Sequence, residues 1–524
     1  MKAQRHPLSD VIPRQSARGV LSNSDRYCVT CPDGTRLDVT VYDGDRAATA
    51  PPGSRPVVVL PTSWAASPAS FTLMLGRLAA SGYLTVGYTP RGFNGSGGRV
   101  GTASERDVSD FRTVLDWIEN TIPAADGNRI AAMGVSYGAA ISLLATAADD
   151  RISTVVAFDG WADLYQALAA GDTPRLASAA LLSLGLLRGR PSQSLLLAIG
   201  RFFTGLQRGE LKRWAAARSV SAHVERLNAR QVSVLLAASW NDVVLRPEQF
   251  ADLHAALTCR SVLLLHPGGH PLLPVAQLAE KTGRQLWEYA ERWLDRELRE
   301  LPTVVDDDGA VVVLDGDTPG GRRSTAGHTA TLGLGAPGLL GPGPLAGRGG
   351  AWTCGLLGAI PSGATDRMPL MLPPFRGDRF NTAFPAVWFP LVPALAAGRW
   401  LSEPLPSDGH IRGCPTVRLA VTCPAPEVTL TAHLYEVGPA GFGRLVSQGA
   451  TTTATGGRCP VPVSIRLRTT VRDVPAGRRI GLIVGTSDPT CLIRTRPLSR
   501  VTLHSPPAEP ARLTLPLSEA LGDR

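Results

Sequence analysis

Short, continuous apolar runs alternate with segments of helical periodicity between residue 26 and about residue 300. The runs Val57–Leu60, Tyr83–Tyr88, Ile152–Phe158, Val232–Ala238 and Ser261–Leu265 are typical of strands that are buried on both faces of a sheet. In several of the segments between them, apolar residues recur three or four positions apart, as on one face of an amphipathic helix. Strands alternating with helices in this way predict a parallel sheet with helices on both faces, which is the α/β class.

The periodic segments also locate the helices. Helices are predicted at about 70–81, 104–121, 247–257 and 275–299, and a further, Ala-rich helix is predicted from Ala139. A mostly helical pattern fills the long interval between the strands at 152–158 and 232–238. One crossover helix does not need that many residues, so the segment from about 160 to 230 is predicted to be an inserted helical cap.

The composition and the hydrophobic pattern of the sequence change after Leu301. Residues 332–350 are rich in Gly, which is typical of a flexible or irregular connector. From about 352 onwards, short runs of β-forming residues are separated by turns, a pattern that indicates an all-β sandwich or jelly roll. The predicted organisation is an N-terminal extension (1–25), an α/β domain (26–300), a Gly/Pro-rich linker region (301–351) and a β-sandwich domain (352–524).

A serine between two glycines follows a short predicted strand at Arg129–Met133. The stretch at 134–138 reads G-V-S-Y-G, and a helix is predicted directly after it. In a strand–turn–helix setting the glycines relieve crowding at a sharp turn, the hydroxyl is exposed above the sheet, and the helix N-terminus stabilises negative charge. Ser136 is therefore the candidate nucleophile. The alternative is a serine in an ordinary Gly-rich loop.

A carboxylate that could assist Ser136 follows a later strand. Asp242 ends the sequence Trp-Asn-Asp just past the predicted strand at 232–238. At such a position it can hold an imidazole in the required tautomer and stabilise its cation, although a carboxylate at a strand end is more usually a helix cap. Asp159, after the strand Ile152–Phe158, is the rival acid, and Asp242 is favoured over it.

Two histidines offer a base at the end of the strand Ser261–Leu265. His270 lies on a Gly-rich loop from which it can reach over the edge of the sheet, whereas His266, where the strand ends, is interpreted as structural. The alternative is that both are surface-loop histidines. The order of Ser136, Asp242 and His270 along the chain is the order of nucleophile, acid and base in one large class of serine enzymes, so we assign the three as the candidate triad.

A serine nucleophile also needs two hydrogen-bond donors for the oxyanion that forms on its substrate. One is expected from the backbone N–H of Tyr137, the residue after the nucleophile. The other is expected from the loop after the strand Val57–Leu60, where Thr62 is favoured and Ser63 is the next choice. Candidates for the wall of a substrate pocket are the aromatic residues near these positions, for which core packing is an equally good interpretation: Trp64, Tyr137 and Trp240.

Composition limits the classes of partner. The net charge of +9, from 53 Lys and Arg against 44 Asp and Glu, is scattered along the chain, whereas nucleic-acid binding needs clustered charge. The apolar run Leu181–Leu206 is interrupted by Arg-Gly-Arg-Pro, so no membrane span is expected, and the N-terminus has no apolar core of signal-peptide length. Cys28 and Cys31 have no matching second pair for zinc. We expect a cytoplasmic protein without metal or other cofactor.

With these residues in place, the chain resembles the family that joins cocaine esterase, X-Pro dipeptidyl-peptidase and related CocE/NonD hydrolases. Residues 88–98 are similar to its D-x-R-G-x-G-x-S-x-G segment, and residues 134–138 to its G-x-S-Y-x-G segment. Residues 240–242 resemble its acid segment, and residues 266–270 its G-P-x-x-H ending. The resemblance covers about residues 26–505. It implies an α/β-hydrolase domain with an inserted helical cap, followed by a C-terminal jelly roll.

By that resemblance, Ser136 is the acylated nucleophile, His270 the general base and Asp242 its orienting acid. The chain departs from the family pattern at three places. Some members carry a tyrosine hydroxyl donor in the loop that here reads Pro-Thr-Ser-Trp at 61–64, the family's leading Asp falls at Thr89, and its glycine before the final Pro-x-x-His falls at His266. The first departure leaves the second oxyanion donor open.

The leading hypothesis is a serine hydrolase that cleaves an ester or amide bond of a small-molecule or peptide substrate through an acyl-enzyme. A second hypothesis is an acyltransferase or thioesterase-like enzyme of a biosynthetic pathway, because a dry cap and an apolar pocket favour transfer over attack by water. A third is a catalytically inactive protein whose β domain binds a carbohydrate or another protein. The order of Ser136, Asp242 and His270 counts against the third.

Overall fold

The structure is a computed structural model, and its chain divides into two compact units. Unit 1 comprises Met1–Ala167, Ala180–Leu245 and Gln249–Arg323, and unit 2 comprises Leu168–Ala179, Arg246–Glu248 and Ser324–Arg524. The residues described are 4–5, 24–42, 49–242, 244–270, 281–301, 308–315, 317–318, 321–324, 327–347, 349–364, 387–457 and 459–518. Parts of the predicted N-terminal extension, linker region and last helix of unit 1 therefore lie outside the described residues.

Across the described residues, the first sheet contains eleven strands. Their bounds are β1 Gln4–Arg5, β2 Ser24–Thr30, β3 Arg36–Tyr42, β4 Arg55–Pro61, β5 Leu84–Tyr88, β6 Ala125–Val135, β7 Ile152–Phe158, β8 Ser233–Ser239, β9 Ser261–His266, β10 Val311–Val313 and β11 Arg322–Ser324. The spatial order is β1-β2-β3-β5-β4-β6-β7-β8-β9-β10-β11. Along this spatial order, the strands β1, β2, β3 and β5 pair antiparallel, and the strands β5, β4, β6, β7, β8, β9 and β10 pair parallel. The central strands thus form the expected parallel sheet.

Ten α-helices accompany this sheet in the described part of the chain. Their bounds are α1 Thr72–Ala80, α2 Glu105–Thr121, α3 Tyr137–Ala148, α4 Leu164–Ala169, α5 Leu176–Leu186, α6 Gln193–Thr204, α7 Arg208–Ala216, α8 Val224–Ala229, α9 Glu248–Ala256 and α10 Lys281–Arg299. Helices α4 to α8 fall in the segment predicted as a cap. Short 3₁₀ turns lie at Pro68–Phe71, Ala170–Asp172, Val220–His223 and Phe389–Leu391.

The core of unit 1 forms where the sheet meets its helices. Strand β8 is buried at every position, and β4 is buried at all positions except its first, as strands covered on both faces require. Helix α10 turns one apolar face toward this core, with Leu286, Trp293 and Leu294 at most 4% exposed. Because the central strands run parallel, the polar residues that follow them lie together at the carboxyl edge of the sheet. This is the edge at which α/β sheets place their sites.

Unit 2 is built from strands. Its described residues form a twelve-stranded sheet and a two-stranded sheet, in which β17 pairs with β22. The strands are β12 Thr329–Leu334, β13 Gly343–Ala346, β14 Trp352–Leu357, β15 Val387–Trp388, β16 Ala397–Ser402, β17 Gly409–Gly413, β18 Thr416–Thr422, β19 Glu427–Val437, β20 Phe442–Ala454, β21 Val461–Arg466, β22 Thr470–Val474, β23 Arg479–Gly485, β24 Arg500–Ser505 and β25 Arg512–Pro516. Alternate inward residues such as Leu430, Leu482 and Leu503 are fully buried in one core. This is the predicted all-β domain.

The structure differs from the sequence-based expectation in several places. Helix α3 begins at Tyr137, directly after the serine, whereas the prediction begins at Ala139. Strands β10, β11, β12 and β13 lie in the described parts of 301–351, where a Gly/Pro-rich linker is predicted. Val311–Val313 pairs with β9, and its β-branched residues explain why this short run forms a strand despite its flanks.

None of the helices in the described ranges combines the length and the apolar character needed to cross a membrane. All eight cysteines are described, and all are free thiols. Cys31 donates to Asp110 at 3.0 Å, so it is occupied in the hydrogen bonding of the domain core.

Candidate active site

Ser136 lies on a sharp turn between β6 and α3. Its φ of 55° and ψ of −115° are a conformation that residues with a side chain rarely adopt. The flanking glycines are sterically required, because a Cβ at Gly134 would overlap the backbone of Gly138, and a Cβ at Gly138 would overlap the carbonyl oxygen of Pro61. The local sequence therefore folds into the strained turn that a nucleophile-type serine needs.

His270 and Asp242 meet Ser136 in one hydrogen-bonded chain. The Oγ of Ser136 lies 3.0 Å from Nε2 of His270, and Nδ1 of His270 lies 2.7 Å from Oδ2 of Asp242. Since an ionised carboxylate can only accept, Nδ1 carries a proton and Nε2 is free to accept one from the serine. The structure thus brings the three residues of the candidate triad together within unit 1.

The carboxylate of Asp242 is itself held in place. Its Oδ1 accepts the backbone N–H groups of Val244 at 2.7 Å and Leu245 at 2.9 Å, and only 3% of its side chain is exposed. These bonds orient the other oxygen toward His270. The burial that surrounds His270 by itself lowers its pKa, but the charge and hydrogen bond of Asp242, with a smaller contribution from Asp159, raise the pKa above that of a free histidine.

The two residues that sequence reasoning set aside form a pair of their own. Nε2 of His266 lies 3.1 Å from Oδ1 of Asp159, and both side chains are buried. Of the two candidate acids, Asp242 is hydrogen-bonded to His270, whereas Asp159 is hydrogen-bonded to His266. The pairing of His266 with Asp159 has no signal in the sequence beyond the fact that both residues follow or end a strand of the same sheet.

The side chain of Tyr137 lies away from Ser136, in a buried polar cluster. Its hydroxyl donates to Oδ1 of Asp107 at 3.0 Å. Asp107 also accepts the N–H and hydroxyl of Ser104, at 2.8 and 2.7 Å, in the capping box that starts α2. Burial raises the pKa of Asp107, and the bonds from Ser104 and Tyr137 oppose that rise. The bond from Tyr137 to Asp107 has no signal in the sequence, although Ser-x-x-Asp before an apolar helix face indicates the cap itself.

The backbone of Tyr137 has a different environment from its side chain. As the first residue of α3, Tyr137 has an N–H that no carbonyl within the helix can accept. The N–H therefore remains available at the turn that carries Ser136. The aromatic ring stacks on Trp161 with a centroid distance of 6.0 Å, and Trp64 packs edge-on against it at 5.2 Å.

The hydroxyls of both candidate donors in the β4 loop are already bonded. Thr62 is fully buried, its N–H donates to Tyr88 at 2.9 Å and its hydroxyl donates to Ala66 at 3.1 Å. The hydroxyl of Ser63 donates to the carbonyl of Val135 at 2.8 Å. Among the described residues, the N–H of Ser63 has no hydrogen-bond acceptor. Of the two candidate residues, Ser63 is therefore the one that still has a group able to act as a donor, its backbone N–H.

Trp64 connects the β4 loop to the cap. Its indole N–H donates to the carbonyl of Leu182 at 3.0 Å, and its ring packs against Phe93 as well as Tyr137. Gly185 of α5 faces the same ring so closely that a Cβ there would overlap it. Trp240 is half-buried, and its backbone N–H donates to the carbonyl of His266 at 3.2 Å. Both tryptophans thus lie next to segments of the candidate triad or its cap.

We expect Gly185→Ala to lower the melting temperature, with a loss of about 1–3 kcal/mol from overpacking against Trp64. Gly200→Ala on α6 is the matched control, because a Cβ there meets nothing within 4 Å. The control should be neutral or should stabilise the protein by about 0.5–1 kcal/mol, since alanine favours a helix over glycine. Differential scanning calorimetry on both variants makes the comparison, and equal melting temperatures would contradict the packing of Trp64 against α5.

His, Cys, Asp and Glu side chains in the described ranges do not gather in groups of three or more suited to a metal ion. The charged groups of the site are instead used in pairs: Asp242 with His270 and Asp159 with His266. The arrangement can therefore activate a hydroxyl by proton transfer, and it offers backbone N–H groups beside that hydroxyl.

Three solved structures share this architecture over nearly the full chain. A CocE/NonD family hydrolase from Staphylococcus aureus superposes with a TM-score of 0.69 at 14% identity, covering 94% of each chain. An α-amino acid ester hydrolase gives 0.65 at 16% identity, covering 98% of this chain and 100% of the other. An aminopeptidase from a marine-sediment Thaumarchaeota archaeon gives 0.66 at 15%, covering 97% and 98%. At such identities the likeness shows the fold. No curated protein sequence matches the chain.

The fold and the family comparison together place the chain among the α/β-hydrolases, as a serine hydrolase with a C-terminal β domain. Residues 33–271 match the X-Pro dipeptidyl-peptidase (S15) family, and residues 399–514 match the C-terminal non-catalytic domain of X-Pro dipeptidyl-peptidase. The chain thus carries both domains of the S15 X-Pro dipeptidyl-peptidase family. The predicted fold class and family resemblance are confirmed.

Proposed function

We propose that the protein hydrolyses an ester or amide bond of a small-molecule or peptide substrate through an acyl-enzyme formed on Ser136. The observation that carries the proposal is the unbroken hydrogen-bonded chain from Ser136 through His270 to Asp242, with links of 3.0 and 2.7 Å. Distances of this size are those over which a general base acts on a nucleophile. The strained turn at Ser136 adds support, because such strain is common at sites of chemistry.

In the first step, Oγ of Ser136 attacks the substrate carbonyl while its proton passes to Nε2 of His270. Asp242 keeps the imidazole in the tautomer that can accept this proton and stabilises the resulting cation. His270 then donates the same proton to the departing alcohol or amine, which leaves an ester on Ser136. In the second step a water attacks that ester, with His270 again taking the proton and returning it to Ser136.

The developing oxyanion needs two donors that are already in place. The N–H of Tyr137 is one, because it has no partner within α3 and lies at the positive end of that helix. For the other we propose the N–H of Ser63, since the hydroxyls of Thr62 and Ser63 donate to backbone carbonyls. Ser63→Ala keeps this N–H and should therefore retain the turnover, which measurement of kcat tests.

The raised pKa of His270 predicts the pH dependence of turnover. His270 must be unprotonated to act as a base, so kcat/KM should rise with pH along a limb governed by this residue. Because Asp242 and Asp159 together raise the pKa of His270 more than burial lowers it, the midpoint of that limb should lie above the value of about 6.5 typical of a free histidine. A pH–rate profile of ester hydrolysis measures the midpoint, and a midpoint well below that value would contradict the assignment of His270.

The names of the matching family and of the similar structures suggest which classes of substrate to test. The matching family is named for X-Pro dipeptidyl-peptidase, and two of the similar structures are named an α-amino acid ester hydrolase and an aminopeptidase. A suitable panel therefore contains p-nitrophenyl acetate and butyrate, phenylalanine methyl ester, alanine p-nitroanilide and Gly-Pro p-nitroanilide. The comparison of kcat/KM across the panel distinguishes ester from amide cleavage and shows whether a free α-amino group improves the substrate.

The experiment that tests the proposal is reaction of the full-length protein with a fluorophosphonate probe, followed by mass mapping of the modified peptide. The expected result is one label, on Ser136, together with turnover of at least one panel substrate that the label abolishes. A wild-type protein that stays unlabelled, or a label at another serine, would overturn the assignment of the nucleophile.

A further inference from the structure

A second buried histidine–aspartate pair lies beside the candidate triad and takes no part in the proposed reaction. The side chains of His266 and Asp159 are 4% and 0% exposed, and Nε2 of His266 donates to Oδ1 of Asp159 at 3.1 Å. The other carboxylate oxygen of Asp159 is buried without a hydrogen bond to any described residue. A buried carboxylate that is only half satisfied weakens the fold, so its presence here calls for a role in the site.

Asp159 connects the ends of three neighbouring strands. It follows the last residue of β7, and its N–H donates to Ala237 of β8 at 2.8 Å. Its Oδ1 accepts the N–H of Ser239, the last residue of β8, at 2.8 Å. His266 is the last residue of β9 and lies opposite Ser239 in the pairing of β8 with β9. One carboxylate oxygen thus fixes the ends of β8 and β9 relative to β7.

Each of these strand ends leads directly to a member of the candidate triad. Asp242 comes three residues after Ser239, and His270 four residues after His266. The serine turn is attached to the same place, because the N–H of Ser136 donates to the carbonyl of Phe158 at 2.8 Å. Because these loops are short, a displacement of a strand end would also displace the residue of the candidate triad that follows it.

We propose that Asp159 and His266 are positioning residues, a buried pair that keeps the loops carrying Asp242 and His270 in place over Ser136. The proposal rests on the function proposed for the candidate triad. It also explains why this chain has a histidine where the family it resembles has a glycine. A glycine at 266 cannot donate to Asp159, so the two residues should depend on each other.

Asp159 also contributes its charge. Among the described residues, the charged groups that act on His270 are Asp242, from the loop after β8, and Asp159, from the end of β7. Both raise the pKa of His270, although Asp242 does so more strongly. Removal of the Asp159 charge should therefore make His270 easier to deprotonate, an effect that a purely structural role in packing would not produce.

The test uses the full-length protein with Asp159→Asn, His266→Gly and the double variant, assayed on p-nitrophenyl butyrate. Asp159→Asn should lower kcat about tenfold with little change in KM, because misplacement of a catalytic group affects the chemical step. The acid limb of kcat/KM should move to lower pH. His266→Gly should lower kcat further by leaving Asp159 without its partner, and the double variant should recover to the level of Asp159→Asn.

Asp163→Asn is the matched control. Asp163 lies four residues further along the same loop and accepts the N–H of Gln166 at 3.0 Å, at the start of α4. This control should leave both kcat and the acid limb unchanged. Wild-type kcat and an unmoved acid limb in Asp159→Asn, or strictly additive losses in the double variant, would overturn the pairing role.

An NMR titration of the His270 ring provides a readout that does not depend on turnover. Its midpoint should fall in Asp159→Asn and stay in place in Asp163→Asn. If wild type reacts with the fluorophosphonate at Ser136 and the Asp159 and His266 variants behave as wild type, this inference alone fails. If wild type is neither labelled nor active, the proposed function fails, and the titration still decides whether Asp159 acts on His270.

Discussion

Ser136→Ala should abolish labelling by a fluorophosphonate and lower kcat for the best panel substrate by about 10⁴- to 10⁶-fold. The loss is large because Ser136 supplies the atom that forms the covalent bond, and neither His270 nor the backbone donors can replace it. Residual turnover would come from water activated by His270 and from binding at the oxyanion site. KM should change little, since removal of one hydroxyl leaves the rest of the pocket intact.

The matched control for this variant is Ser142→Ala. Ser142 is fully buried in α3, six residues after Ser136, and its hydroxyl donates to the carbonyl of Met133 at 3.0 Å. It should keep full labelling and turnover, although the loss of its bond lowers stability by about 1 kcal/mol. Equal labelling of Ser136→Ala and wild type would exclude Ser136 as the nucleophile.

Asp242→Asn should lower kcat by about 10³- to 10⁴-fold, which is the second largest effect we expect. An asparagine can still accept the N–H groups of Val244 and Leu245, so the loop should keep its shape. It presents an amide where His270 needs a carboxylate, so the imidazole loses both its tautomer and the stabilisation of its cation. The acid limb of the pH–rate profile should move to lower pH, because the carboxylate that raises the pKa of His270 is gone.

The comparison with Asp159→Asn decides which carboxylate orients the base. The measured quantity is kcat over the pH range in which both variants remain folded, as followed by circular dichroism. The loss in Asp242→Asn should exceed the loss in Asp159→Asn by about a hundredfold or more. A larger loss in Asp159→Asn would transfer the role of orienting acid to Asp159.

Much of the α/β architecture could be predicted because its strands are buried on both faces. Such strands are continuous apolar runs, as at Val57–Leu60 within β4 and Ser261–Leu265 within β9, and they differ clearly from the helices between them. The longest strand of unit 2 could not be found in this way. Strand β20, Phe442–Ala454, contains Ser, Gln and Gly and ends in five Thr or Ala residues, and it forms because β19 supplies eleven paired positions.

The proximity of Ser136, Asp242 and His270 could be predicted because each follows a strand, and the strand ends meet at one edge of a parallel sheet. The hydrogen bonds around them could not be predicted. Whether the hydroxyl of Thr62 is free or donates to Ala66 depends on the path of the loop, which the sequence does not specify. Likewise, the bond between His266 and Asp159 joins residues far apart in sequence, and no local pattern encodes it.

The carboxylate of Asp107 serves two structures at once. It closes the capping box that starts α2, and it anchors the hydroxyl of Tyr137, whose backbone N–H borders Ser136. Attempts to make this enzyme more heat-resistant by optimising helix caps would therefore meet a conflict at this position. Glutamate is the more usual residue in such a box, but its longer side chain would push Tyr137 and the first turn of α3 away from the sheet. Any substitution of Asp107 must therefore be selected for thermal stability and for catalytic rate at the same time.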